Sequence, residues 1–279
     1  MQQLYITDLD HTFLNNNQKV TKFSKEIWNS VSQKALLSVA TARSFAKIEE
    51  FLNGMKLNAP LILLDGALIA TAQKEIIDIK PIDKNLVDEI IYEAKKFNIE
   101  PFLLAIKDRD SINETFAIPN NMNQYQSNLI DWKYNKDPRL KREKNIQGLK
   151  DTLKIVYMGE KEELNLLEKH LKNIFGNSIE SKLSPEHYTK CWFLTILHPL
   201  GDKAHAIKLL TEYLNIPLEN TTVFGDNIND IEMFKVAGTS IAVSNALDIV
   251  KKEAKIVLPH SNNEDGVAKY LQEIFMQLK

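Results

Sequence analysis

Two rhythms of apolar and polar positions alternate along the first part of this chain. Short runs apolar almost throughout, Leu4-Tyr5-Ile6, Ala35 to Ala40 and Leu61 to Leu64, read as strands buried on both faces. Between them apolar residues recur at helical spacing. Ser24 reads as the N-cap of a helix carrying Ile27, Trp28 and Val31. Phe45, Ile48 and Leu52 mark a second helix, with Gly54 as its stop. Asp65-Gly66 is a turn signal, and Ala67 to Ile79 reads as a hairpin. Apolar strands alternating with amphipathic helices predict an α/β fold, a parallel sheet covered by helices on both faces.

The rhythm changes near Pro81. Asp83 caps a helix carrying Val87, Ile90 and Ala94, and short strands follow at 101–106 and 112–118. Residues 119–148 are polar and carry no pattern. A strand at 153–157, a helix with Leu164, Leu167, Leu171 and Ile174, and strands near 178–183 and 190–197 complete a mixed segment. From His198-Pro199 the first rhythm resumes. Asp202 caps a helix with Ile207, Leu210 and Leu214, and Thr221 to Phe224 is again a buried strand. Further strands at 240–243 and 255–258 precede a last helix with Val267, Leu271, Ile274 and Leu278 on one face. The pattern predicts a discontinuous core, residues 1–80 and 199–279, around an inserted α+β domain, residues 81–198.

With 44% hydrophobic residues in 279, the chain can bury a sizeable core, which argues against disorder. A net charge of −2 argues against a dedicated nucleic-acid binder. The most basic run, Lys133 to Lys144, is short and reads as a solvated loop of the insert. Cys191 is the single cysteine, so no intrachain disulfide forms and a reducing cytoplasm fits. No signal peptide and no apolar run of membrane-spanning length is visible, so a cytoplasmic protein is expected. Oligomeric state is not readable.

Chemistry gathers at the ends of the apolar runs, where open parallel sheets bind ligands. Asp8 and Asp10 follow the first strand, one residue apart. In an extended chain their carboxylates face one spot, which costs repulsion unless a cation or shared proton offsets it. Thr41 ends the second strand and Asp226 follows the Thr221 run. Lys203 begins the helix after the insert. The carboxylates suit a hard cation such as Mg2+, and the lysine and hydroxyl suit a phosphate.

Asp8-Leu9-Asp10-His11-Thr12, Thr41, Lys203 and Gly225-Asp226-Asn227-Ile228-Asn229-Asp230 together resemble the four motifs of the haloacid dehalogenase-like superfamily. Only 31 positions separate Asp10 from Thr41, whereas 162 separate Thr41 from Lys203. That placement of the insert, and Leu63-Leu64-Asp65-Gly66-Ala67 before it, is similar to the Cof-type phosphatases with a C2-type cap. The resemblance implies a Rossmann-like core and a Mg2+-dependent phosphatase of small phosphorylated metabolites, sugar phosphates first. It implies Asp8 as nucleophile and Asp10 as general acid and base. Thr41, Lys203 and Asn229 would hold the phosphate, and the Asp8 carboxylate, the Asp10 carbonyl and Asp226 the metal. Asp230 would order metal-bound water or Lys203. A phosphomutase of the phosphomannomutase type shares this motif set. A non-catalytic metal and phosphate sensor is a third reading, and the presence of both Asp8 and Asp10 counts against it.

Ala42 and Ala204 each stand where glycine is common in that pattern, His11 and Asp65 depart from it further, and Arg43 is an additional candidate. His11 occupies a position usually held by glycine, where a Cβ restricts the turn, and its imidazole could approach the leaving group. Asp65 stands where asparagine is usual, an extra carboxylate expected near the entrance. Arg43 could cap a loop or meet the substrate. His198, His205 and Cys191 read as surface or packing residues.

Overall fold

The computed structural model describes residues 2–49, 51–186 and 189–276. Two compact units divide the chain, Met1–Asp78 with Lys203–Lys279, and Ile79–Asp202.

The first unit opens with β1 (Leu4–Thr7), α1 (Lys22–Val31), β2 (Leu36–Val39), α2 (Phe45–Ile48), β3 (Leu61–Leu63), β4 (Leu68–Ala70) and β5 (Ile76–Ile79). Every residue of β1 is buried, as a central strand of a parallel sheet requires. Helix α1 starts earlier than Ser24 suggests. Thr21 is the N-cap, its hydroxyl accepting the Ser24 N–H at 3.0 Å. The Ser24 hydroxyl donates instead to Asp265 at 2.8 Å, so a tertiary partner keeps it from competing for the backbone. Helix α2 is a single turn. The Phe51 and Leu52 N–H groups both donate to the Ile48 carbonyl, and the chain loosens before Gly54, which takes a left-handed φ of 77°.

In the second unit come α3 (Lys84–Lys95), β6 (Phe102–Asp108), β7 (Asn113–Pro119), α4 (Gln124–Leu129), β8 (Leu140–Glu143), β9 (Thr152–Gly159), α5 (Lys161–Phe175), β10 (Glu180–Glu186) and β11 (Cys191–Leu197). Asp83 caps α3, accepting the Asn85 and Leu86 N–H groups. The sheet order is β10-β11-β9-β6-β7-β8. One face, with Leu103, Ile155, Tyr157, Leu194 and Ile196, packs on Val87 and Ile90 of α3 and Leu164 and Leu167 of α5. The other, with Phe102, Phe116, Ile118 and Met158, packs on Leu129 and Ile130. The patternless segment holds α4, started by a capping box of Asn123 and Gln126, and edge strand β8. Strand β8 was illegible because Lys141, Arg142 and Glu143 are all exposed. The basic run is therefore more than a solvated loop. Its Arg139 is half-enclosed, donating to Asp137 at 2.8 and 2.6 Å and to buried Glu114.

The first unit resumes with α6 (Lys203–Leu214), β12 (Thr221–Gly225), α7 (Ile231–Val236), β13 (Thr239–Ala242), α8 (Asp248–Glu253), β14 (Ile256–Val257) and α9 (Gly266–Met276). A parallel sheet in the order β14-β13-β12-β1-β2 forms its centre. Strand β3 was expected in this sheet. It pairs antiparallel with β4 in the small sheet β3-β4-β5, and meets the chain just past β2 through an Ala40–Ile62 bridge. The turn after β3 reverses the chain at once, so its sequence neighbour becomes its partner. On α9, Val267 and Leu271 are buried while Ile274 is exposed, and Leu278 lies outside the described residues. Among the described residues no helix is long and apolar enough to cross a membrane.

Candidate active site

Because β2, β1 and β12 are parallel neighbours, their carboxyl ends share one edge of the sheet. The Asp8 N–H donates to the Phe224 carbonyl at 2.9 Å, extending the β1–β12 ladder one residue past β1. That bond fixes Asp8 beside the segment that carries Asp226. The chain then turns sharply. His11 adopts φ 57°, the left-handed region in which glycine is at ease, and the Asn245 side-chain N–H secures the His11 carbonyl at 2.8 Å.

The two aspartates of the opening motif have different partners. Lys203 Nζ donates to Asp8 Oδ1 at 2.8 Å and to Asp230 Oδ1 at 2.7 Å, with the lysine 0% exposed. Arg43 instead clasps Asp10 with a bidentate fork, Nε to Oδ2 at 2.6 Å and Nη2 to Oδ1 at 2.5 Å. Its guanidinium lies 4.2 Å from the Phe51 ring centre, and Nη2 also reaches Gln18 at 3.0 Å. At these contacts Arg43 meets the second aspartate, Gln18 and the Phe51 ring.

Asp230 anchors the loop after β12. Its Oδ2 accepts the backbone N–H groups of Asp226 and Asn227 at 2.9 and 3.0 Å. Gly225 makes room for it, since a Cβ there would lie 2.5 Å from Asp230 Cγ. Asp226 is buried, with its Oδ1 accepting the Thr12 hydroxyl at 2.7 Å. Asp8, Asp226 and Asp230 each offer a carboxylate oxygen, and these lie within 4.8 Å of one another.

Burial dominates the electrostatics. It pushes the Asp8 carboxyl up to about 8, with Asp230 and Asp10 adding to the rise and Lys203 opposing it. Asp226 is raised well above the carboxylate range by burial and then by Asp230 and Asp8. Burial pulls Lys203 the other way, but Asp230, Asp8 and Asp65 outweigh it and hold the ammonium above its usual pKa. Three buried carboxylates around one buried ammonium leave excess negative charge that oxygen-seeking divalent cations would neutralise. The donors are all oxygen, so the residues fit a hard cation.

Thr41 and Asp65 sit on adjoining turns. The Thr41 hydroxyl accepts the Arg43 N–H at 3.2 Å, and the Asp65 N–H donates to the Thr41 carbonyl at 3.0 Å. Leu64, Asp65 and Gly66 all have positive φ, at 52°, 62° and 118°. Asp65 is 3% exposed, not at an open entrance, and its Oδ1 accepts the Asn229 side-chain N–H at 3.0 Å. The site therefore brings together Asp8, Asp226, Asp230 and Lys203, ties Asp10 to Arg43, and ties Asn229 to Asp65. Sequence reasoning gave Thr12, Gln18 and Asn245 no role. Thr12 was findable, standing two residues past Asp10 in the quoted motif. Gln18 and Asn245 carry no local signal.

Residues 5–271 match the haloacid dehalogenase-like hydrolases, and the chain belongs to that family. It is a phosphatase of this family, with the α/β core and cap expected from its motifs. The Buchnera aphidicola (Acyrthosiphon pisum) protein BU028/BU029, provisionally named a phosphatase, is 28% identical over 99% of this chain and 98% of its own length. Bacillus subtilis YitU, named a 5-amino-6-(5-phospho-D-ribitylamino)uracil phosphatase, is 22% identical over 98% of this chain and 97% of its own. The crystal structure of TM0651 from Thermotoga maritima shares the fold, with a TM-score of 0.75 at 24% identity, covering 98% of this chain and 97% of that one.

Proposed function

We propose that this phosphatase is Mg2+-dependent and hydrolyses small phosphorylated metabolites, sugar phosphates first among them, through an aspartyl-phosphate on Asp8. The observation that carries this reading is the placement of Asp8. It is buried at the carboxyl edge of the sheet, bonded to Lys203 at 2.8 Å and grouped with Asp226.

Asp8, the Asp10 carbonyl and Asp226 would hold Mg2+, which would screen the attacking carboxylate from the phosphate dianion and ionise Asp8 at neutral pH. Asp8 attacks phosphorus and becomes the acyl phosphate. Asp10 delivers a proton to the leaving oxygen, then takes one from the water that cleaves the acyl phosphate. Arg43 aims the Asp10 carboxylate for both transfers. Lys203 and Thr41 hold phosphoryl oxygens as charge redistributes, with Asn229 beside them. Asp230 keeps Lys203 in place and ties down the Asp226 loop.

YitU and a second Bacillus subtilis relative, YcsE, both have names that specify a phosphate on a ribityl group. A phosphate on a polyol chain supports the sugar-phosphate class. The test is a phosphate-release screen of sugar, polyol and nucleotide monophosphates with Mg2+. Release from sugar or polyol phosphates, stopped by a chelator, is expected. Phosphoryl return to a sugar without release would point to a mutase, and undiminished release after chelation would remove the metal from the account.

A further inference from the structure

Asp65 is a carboxylate in a place where its charge cannot be dispersed by water. It is 3% exposed, and its backbone N–H is bonded to the Thr41 carbonyl at 3.0 Å. Its Oδ1 takes an N–H of Asn229 at 3.0 Å. It is also one of three acids whose fields act on buried Lys203. Asp65 is thus linked to all three groups assigned to the phosphate: its backbone to Thr41, and its carboxylate to Asn229 by hydrogen bond and to Lys203 by field.

We propose that Asp65 is a positioning residue that sets how tightly the site holds phosphate, orienting the Asn229 amide while repelling the dianion through its own charge. This inference rests on the phosphatase reading above. A carboxylate only accepts hydrogen bonds, so it fixes which end of the Asn229 amide faces it. The Asn229 nitrogen has a second N–H, which remains to donate toward a phosphoryl oxygen. An asparagine at position 65 would offer Asn229 the same oxygen without the charge. The chain instead carries a negative group whose field reaches Lys203. That charge opposes substrate, transition state and inorganic phosphate alike, so it raises KM and product dissociation together more than it alters the chemical step. It acts on the transferred phosphoryl group, which every substrate shares, and so speeds clearance of product without choosing between leaving groups.

The experiment is calorimetric binding of inorganic phosphate at saturating Mg2+, paired with KM and the phosphate inhibition constant, for wild type, Asp65→Asn and Asp65→Ser. Asp65→Asn should lower the phosphate dissociation constant and KM together by about tenfold, with a smaller change in kcat. Asp65→Ser loses the Asn229 bond together with the charge, so it should tighten phosphate binding less than Asp65→Asn, and it serves if the asparagine variant does not fold. Phosphate binding in both variants as weak as wild type, or weaker, would overturn the proposal. Wild-type phosphate release in the same experiment reports separately on the phosphatase reading.

Discussion

Arg43 and Asp10, thirty-three residues apart in the chain, form a two-bond fork at 2.6 and 2.5 Å. Planar guanidinium matches carboxylate in direction as well as charge, which a lysine cannot reproduce. If Asp10 shuttles the proton, the fork decides where its oxygens point. Arg43→Lys should therefore lower kcat by about 10- to 100-fold with a much smaller change in KM. Steady-state kinetics check this, with a thermal melt to confirm folding.

Lys203 holds two acids together inside the protein. Removing one partner of a buried ion pair leaves an uncompensated charge and typically costs about 3 to 5 kcal/mol. Lys203→Met should lose stability of that order in denaturant melts near neutral pH, and should lose turnover. Part of the stability should return as pH falls, because Asp8 takes up a proton more readily once Lys203 no longer opposes the rise of its carboxyl.

The raised carboxyl of Asp8 has a consequence for stability. Its pKa lies near 8 in the folded protein against about 4 unfolded, so between those values the folded state binds more protons. Stability of chelator-treated protein contributed by this group is full below pH about 4 and is lost as pH rises toward 8. Asp226 is raised too and acts in the same direction. Chelated protein should melt higher at pH 5.5 than at pH 8, and saturating Mg2+ should narrow that gap. A gap of the opposite sign would contradict the electrostatics given for the site.

Gly225 is needed for space. A methyl group there would meet Asp230 Cγ at 2.5 Å and push away the carboxylate that holds the Asp226 and Asn227 N–H groups. Gly225→Ala should cost about 1 to 3 kcal/mol in a melt and raise the Mg2+ concentration needed for half-maximal activity by displacing the Asp226 loop. Titration of activity with Mg2+ checks the second effect.

Much of the core was legible because β1, β2 and β12 are apolar runs whose polar ends mark one sheet edge, and that edge collects Asp8, Thr41 and Asp226. Lys203 was legible from its position at the start of α6. Strand β3 was read into the wrong sheet, because an apolar run does not state its partner. Strand β8 was invisible because an edge needs no buried alternation. The Asp65–Asn229 and Arg43–Asp10 contacts join segments far apart in the chain, and each residue alone looks like an ordinary polar loop position. Only folding shows that Asp65 is buried and that Arg43 serves Asp10.

The central claim is that Asp8 becomes phosphorylated. Wild-type protein should be quenched in acid during turnover of its best substrate with Mg2+, and the acyl phosphate located by borohydride reduction and peptide mass spectrometry. The phosphoryl group is expected on Asp8, with Asp8→Asn folded, unlabelled and unable to release phosphate. A folded Asp8→Asn variant with wild-type turnover, or a phosphoryl group found on another residue, would contradict it.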